Sequence, residues 1–160
     1  MVSRMIPTYR KVLVTTDLSV LGNSAIPHAY AALAGRAGTV VLCHVLELPT
    51  LPNPLYAHYS PAERLSPRDR EALRRKLSRK LERLVPPEFR RHGQVATEIR
   101  VLDATGPVHE TICEQARVLG VDLIVMASHG HSGLTRLFLG SVAERVLRSA
   151  DRPILVVRSG

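Results

Sequence analysis

Short β-branched, apolar runs alternate along the chain with stretches whose apolar positions recur every three or four residues. Lys11-Val12-Leu13-Val14-Thr15-Thr16 predicts a first strand, and the Ala-rich residues 20–35 predict a helix after it. Gly38-Thr39-Val40-Val41-Leu42-Cys43-His44-Val45 is almost continuously apolar, the pattern of a strand covered on both faces. In residues 95–102, Val95, Thr97, Ile99 and Val101 alternate against Ala96, Glu98, Arg100 and Leu102. That period of two predicts a third strand with one wet face, near a sheet edge. Residues 106–119 predict a helix, Val121 to Ala127 a buried fourth strand, residues 140–150 a helix, and Pro153 to Val157 a fifth strand. Strands separated by helices form right-handed βαβ units, so the fold class is α/β with a parallel sheet.

Residues 47–66 interrupt this alternation. Pro49, Pro52, Pro54 and Pro61 make a long proline-rich loop after the second strand, of the kind that often serves as a lid or insertion. Ser66-Pro67-Arg68-Asp69 then supplies an N-cap, a proline at the first helical position and an acid in the first turn. Leu73, Leu77, Leu81 and Leu84 follow at steps of four and three, one stripe facing the sheet. Pro86-Pro87 ends that helix.

The chain has 160 residues, 45% of them hydrophobic and 22% charged, which suits one globular domain over residues 1–160 and excludes wholesale disorder. Trp is absent and aromatics make up 4%, so the core is aliphatic. Lys and Arg number 22 against 14 Asp and Glu, a net charge of +8. The excess is local: residues 62–92 hold 11 of the bases and 5 of the acids, a net of +6, leaving 11 against 9 elsewhere. The basic helix 67–85 is thus a surface for an acidic protein partner or a solubilising face. It lacks the interleaved aromatics of a nucleic-acid platform, so nucleic acid is not the expected partner.

Two cysteines seventy positions apart, Cys43 and Cys113, exclude a CxxC pair, a zinc knuckle and a disulfide framework. Both sit in apolar surroundings and read as buried thiols of a reducing compartment. Met1 to Lys11 lacks the apolar stretch of a secretory signal, and no run approaches the roughly 18 residues of a membrane span. A cytoplasmic protein with no membrane partner is expected.

In an open parallel sheet, ligands sit beyond the carboxyl ends of the strands, where neighbouring connections leave on opposite faces. Asp17 stands just past the first strand, suited to ribose hydroxyls. Just past the fourth comes Ser128-His129-Gly130-His131-Ser132-Gly133, small, polar and glycine-rich, and Gly140-Ser141 opens the next helix. Such a loop and a helix start both present backbone N–H groups to an anion. His129-Gly130-His131 also admits a metal reading, but no Cys or carboxylate lies at ligand spacing, so no metal centre is expected. His44 reads as a satisfied core histidine, and His109 and Glu110 as helix-face residues. No G-x-x-x-x-G-K-S/T is present, and Gly130 to Leu134 misses the G-x-S-x-G elbow at its last position.

The spacing Ala127-Ser128-His129-Gly130, nine residues, Gly140-Ser141 resembles the universal stress protein signature G-x2-G-x9-G-S/T. Leu139-Gly140-Ser141-Val142-Ala143-Glu144-Arg145-Val146, the ending Ala150 to Val157 and the opening Lys11 to Ser19 are similar to that family too. The resemblance implies a five-stranded parallel sheet in order 3-2-1-4-5 with helices on both faces, a Rossmann-like architecture of the adenine nucleotide alpha hydrolase type. For one subgroup it implies ATP, with Mg²⁺ accompanying the nucleotide. Carried over by position, Asp17 takes the ribose, while Thr15 and Val45 border the adenine. Met126 and Ala127 line the cleft, and Gly130, Gly140, Ser141 and Val142 hold the phosphates, with Ser128, His129 and His131 at hand. Two positions depart from the pattern: Ala127 replaces the first signature Gly, and Thr15 stands where ATP-binding members carry Pro.

The resemblance implies an ATP-binding regulatory module of the stress response and a homodimer paired through strand 153–158. With no general base facing a γ-phosphate, at most slow hydrolysis is expected. The alternative is a dimeric scaffold of the same fold that binds no nucleotide and acts through protein partners.

Overall fold

A computed structural model describes residues 6–47, 66–90, 93–129 and 139–158. Residues 48–65 of the proline-rich loop, and Gly130, His131, Ser132 and Gly133 of the glycine loop, lie outside the described residues.

Five parallel strands, β1 (Lys11–Thr15), β2 (Gly38–Leu46), β3 (Val95–Asp103), β4 (Leu123–Ala127) and β5 (Ile154–Val157), stand in the order β3-β2-β1-β4-β5. The expected order is therefore observed. Strand parity sorts the core. Val12 and Val14 of β1, with Val40 and Leu42 of β2, face α2 (Ile26–Ala31) and α3 (Pro67–Leu84). Leu13, Val41 and Cys43 face α4 (Val108–Val118) and α5 (Ser141–Ser149) on the other side. Both faces of the central strands are buried, which is why β1, β2 and β4 read as unbroken apolar runs. The wet-faced third strand does lie at a sheet edge.

The α3 signals take their expected roles. The Ser66 hydroxyl accepts the Asp69 N–H at 3.1 Å, Pro67 opens the helix, and Leu77 and Leu81 are buried. The segment after β1 differs from the single helix expected over 20–35. It forms α1 (Val20–Asn23), then α2. Pro27 has no N–H to return to the Asn23 carbonyl, so the ladder breaks there and restarts from the Ala25 carbonyl, which accepts from Ala29 at 3.3 Å. The break leaves α1 as one short turn held against the end of β1. Asp122 clamps the opposite end of the sheet, its carboxylate accepting the Arg10 and Lys11 N–H groups at 2.7 and 2.8 Å.

Candidate functional site

The connections of β1 and β4 leave on opposite faces, so their carboxyl ends diverge into a crevice. A cavity of about 560 Å³ fills it. Thr15, Asp17, Val45, Met126, Ala127, His129, Gly140, Ser141 and Val142 all line it, so nine of the ten residues singled out in the sequence share one space. The tenth, Gly130, lies outside the described residues.

The Asp17 end is built by a tight turn. Leu18 adopts φ +66°, a left-handed conformation that costs a non-glycine residue about 1–2 kcal/mol. Its N–H is fixed by the Thr16 hydroxyl at 2.9 Å, and that hydroxyl donates onward to Asn23 Oδ1 at 2.6 Å. The Asp17 carboxylate accepts the Ser19 N–H at 3.0 Å and the Ser19 hydroxyl at 2.6 Å. Ser19 in turn caps α1 by accepting the Gly22 N–H at 2.9 Å. Asp17 Oδ1 lies only 2.1 Å from where a Cβ on Gly22 would stand, so Gly22 admits the carboxylate at this depth.

At the far end, α5 begins without a side-chain cap, unlike α1 and α3. Its first i→i−4 bond is Glu144 N–H to Gly140 O at 2.9 Å, so the N–H groups of Ser141, Val142 and Ala143 have no acceptor within the helix. Gly140 sits close on β4's exit: its N–H donates to Ser128 O at 2.7 Å, and a Cβ there would meet that oxygen at 2.9 Å. Beside it, Ser128 Oγ lies 3.0 Å from His129 Nδ1. His129 Nε2 is buried and has no hydrogen-bond partner among the described residues.

The apolar part of the wall is Val45, Leu46, Val108, Ile112 and Met126. The charged groups among the described lining residues are Asp17 and Glu47, with no Lys or Arg. An anion here would therefore be met by backbone dipoles, hydroxyls and His129. Among the described residues no three His, Cys, Asp or Glu side chains cluster as a metal site.

Several lining residues were not singled out in the sequence. Val108 and Ile112 are one turn apart on α4; their spacing reveals a shared face but not that α4 crosses over the β1–β4 junction. His44, read as a core histidine, does have a bonded ring: Nδ1 lies 2.9 Å from Thr16 O, and because a carbonyl only accepts, Nδ1 carries the proton. It also lines the cavity, which its parity on β2 alone did not disclose.

Sheet order, two-sided helical cover and switch-point crevice define a doubly wound, Rossmann-like α/β protein. The chain belongs to the universal stress protein family, whose family model matches residues 8–158. It is 28% identical over 154 residues to universal stress protein MJ0577 of Methanocaldococcus jannaschii, covering 94% of this chain and 95% of that one. The solved MJ0577 structure superposes with a TM-score of 0.68 at 27% identity, covering 96% of this chain and 99% of that one. A universal stress protein solved in complex with cAMP gives 0.59 at 21% identity, covering 96% and 100%. The Archaeoglobus fulgidus universal stress protein in complex with dAMP gives 0.56 at 15%, covering 94% and 98%. At those last two identities the likeness establishes the fold. No helix among the described residues is long and apolar enough to cross a membrane.

Proposed function

We propose that this chain is an ATP-binding universal stress protein, a regulatory nucleotide-binding module of the cytoplasmic stress response. One observation carries the reading: a single cavity joins an acid at the end of β1, an apolar wall and an uncapped helix start beside His129, whose Nε2 has no partner among the described residues. Acid, apolar wall and orphan N–H groups supply partners for the ribose, the adenine and the phosphate chain of such a ligand. Asp17 takes the ribose hydroxyls; Thr15 and Val45 border the base, with Met126 and Ala127 along the wall. Gly140, Ser141, Val142 and His129 meet the phosphates, joined by Gly130 from the signature. The cAMP and dAMP complexes of two fold relatives support an adenine nucleotide as the ligand class.

Mg²⁺ accompanying the nucleotide would offset phosphate charge, since the described lining residues include no Lys or Arg. The sequence carries no G-x-x-x-x-G-K-S/T, and we read binding, with at most slow hydrolysis, as the function. The outer edge of β5 pairs with its copy in a second subunit, covering the half-exposed Leu155 and giving a homodimer. The exposed cations of α3, among them Arg68, Arg75, Arg79 and Arg83, face an acidic protein partner.

The test is extraction of nucleotide from the purified protein and titration of MgATP into wild type and Asp17→Ala. Released adenine nucleotide, or binding that Asp17→Ala weakens at least tenfold, supports the reading. Protein that neither carries nor binds adenine nucleotide, with or without Mg²⁺, leaves the scaffold alternative in its place.

A further inference from the structure

A second cavity of about 560 Å³ lies at the opposite side of the sheet from β5 and shares no lining residue with the first. Its floor is Val85, Phe89, Thr97 and Ile99, and its charged groups are Glu82 and Arg90. Phe89 is held there by stacking on Tyr30, with ring centres 4.5 Å apart, and Tyr30 Oη is in turn bonded to Thr97 Oγ1 at 2.7 Å.

This cavity abuts the outer edge of β3, which has no strand partner on that side among the described residues. Gly38 N–H donates to Gln94 O at 3.0 Å and Ala104 N–H to Leu46 O at 3.0 Å, so the even-numbered residues of β3 direct their peptide groups at β2. In a parallel ladder alternate residues point opposite ways, so Val95, Thr97, Ile99 and Val101 direct theirs outward. Arg74 blocks the upper end, its guanidinium donating to Val101 O at 2.9 Å. From Val95 to Ile99 the outward groups border the cavity instead. Arg90 donates to the carbonyls of Val85 and Arg83 at 2.8 and 2.7 Å. Neither Arg90 nor Glu82 has an ion-pair partner among the described residues.

We propose that the β3 edge from Val95 to Ile99 docks an extended peptide segment of a partner protein. Outward peptide groups at every second residue are satisfied by a strand, which presents its own at the same period. The apolar floor takes one apolar side chain of that strand. Glu82 and Arg90 then select a base and an acid two residues to either side of it, on the same face. The chain's own 48–65 segment fits poorly as occupant, because Pro49, Pro52, Pro54 and Pro61 carry no N–H for a ladder. The proposal does not rest on the nucleotide reading.

The test uses the full chain and three fluorescein-labelled peptides followed by anisotropy. All are Thr-rich strands around a central Leu, flanked two residues away by Lys and Asp, by two Asp, or by two Lys. Wild type is expected to bind the mixed peptide saturably below about 1 mM, the weak range of small interfaces, and about fivefold tighter than the other two. Glu82→Arg is expected to shift the preference to the two-Asp peptide. Replacing the central Leu with Thr should cost about tenfold. Amide shifts on Val95, Thr97 and Ile99, with Gly140 unmoved, place the peptide on this edge. No saturable binding, equal affinity for all three peptides in both proteins, or self-association of the chain that Glu82→Arg abolishes would each overturn the proposal.

Discussion

Gly140→Ala isolates the contact that sets the start of α5 against β4. The backbone at Gly140 is ordinary extended chain, φ −61° and ψ 148°, so alanine meets no conformational barrier. The obstacle is steric: its Cβ would stand 2.9 Å from Ser128 O, a backbone atom, against the 3.4 Å where ordinary contact begins. Ser128 is itself held, its N–H donating to Val157 O at 2.8 Å, so α5 must yield by roughly half an ångström. Overpacking of this size costs about 1–3 kcal/mol, or a melting point lower by about 2–4 °C per kcal/mol for a chain of this length. The same movement lengthens the 2.7 Å Gly140 N–H bond to Ser128 and carries the Ser141–Ala143 N–H groups with it. If those groups hold phosphates, affinity for MgATP should fall at least tenfold while that for adenosine, read at the other end of the cavity, stays within twofold. Calorimetric titration of both ligands and a thermal melt check this. Equal losses for ATP and adenosine would refute the assignment of a phosphate end to α5, and an unchanged melting point would refute the steric argument.

Burial pushes the Cys43 thiol up to about 12 from an ordinary value of 9.0. The folded state therefore keeps a proton that the unfolded chain releases, so this contribution is whole below pH 9 and declines as pH rises towards 12. Cys43→Ala should flatten the fall in urea midpoint between pH 9 and 11 relative to wild type; parallel slopes would show that the thiol plays no part. Arg74→Met removes the 2.7 Å ion pair with Asp103 and the bond to Val101 O, leaving Asp103, whose Oδ1 already lacks a partner among the described residues, uncompensated. The pair is about one-third exposed, so the expected loss is about 1–2 kcal/mol in urea unfolding, largely restored in Arg74→Met/Asp103→Leu. Leu155→Lys, on the outer strand, should turn the proposed dimer into a monomer in light scattering while leaving the urea midpoint of the subunit nearly unchanged. A wild-type monomer at micromolar concentration would dispose of the dimer outright.

Local chemistry in the sequence reaches as far as elements and their ends, because those depend on neighbours in the chain. Ser66, Pro67 and the Leu73-to-Leu84 stripe locate α3 to within one residue, and the unbroken apolar run of Val40 to Cys43 marks a strand buried on both faces. The order 3-2-1-4-5 is a different kind of fact. Alternating strands and helices are compatible with several orders, and only the resemblance of four separated motifs selected this one. Where tertiary contact decides, local reading fell short. Ala-rich composition outweighed Pro27 in predicting one helix over 20–35, yet the missing N–H divides it. Val108 and Ile112 became cavity wall through the crossing of α4, and Gly22 matters through the carboxylate of a residue five positions back.

The two signature positions that invite scrutiny, Ala127 and Gly140, separate on physical grounds. Glycine is indispensable where the backbone turns left-handed or where another backbone approaches within Cβ range. Ala127 meets neither condition. It lies in register opposite Val157 in a regular parallel ladder, and the sole non-glycine left-handed residue among those described is Leu18. Odd positions of β4 share one face, so its methyl packs beside the cluster of Val12, Val14 and Val125, while Met126 faces the other side. The crevice keeps its volume of about 560 Å³ with that methyl in place. Gly140 meets the second condition, with a carbonyl oxygen 2.9 Å from its absent Cβ. The requirement for glycine therefore resides where α5 starts, and the alanine at the end of β4 is a substitution that the strand geometry absorbs. Among the described residues the cavity walls hold no Lys or Arg, and the basic excess lies on α3, which lines neither end of the crevice.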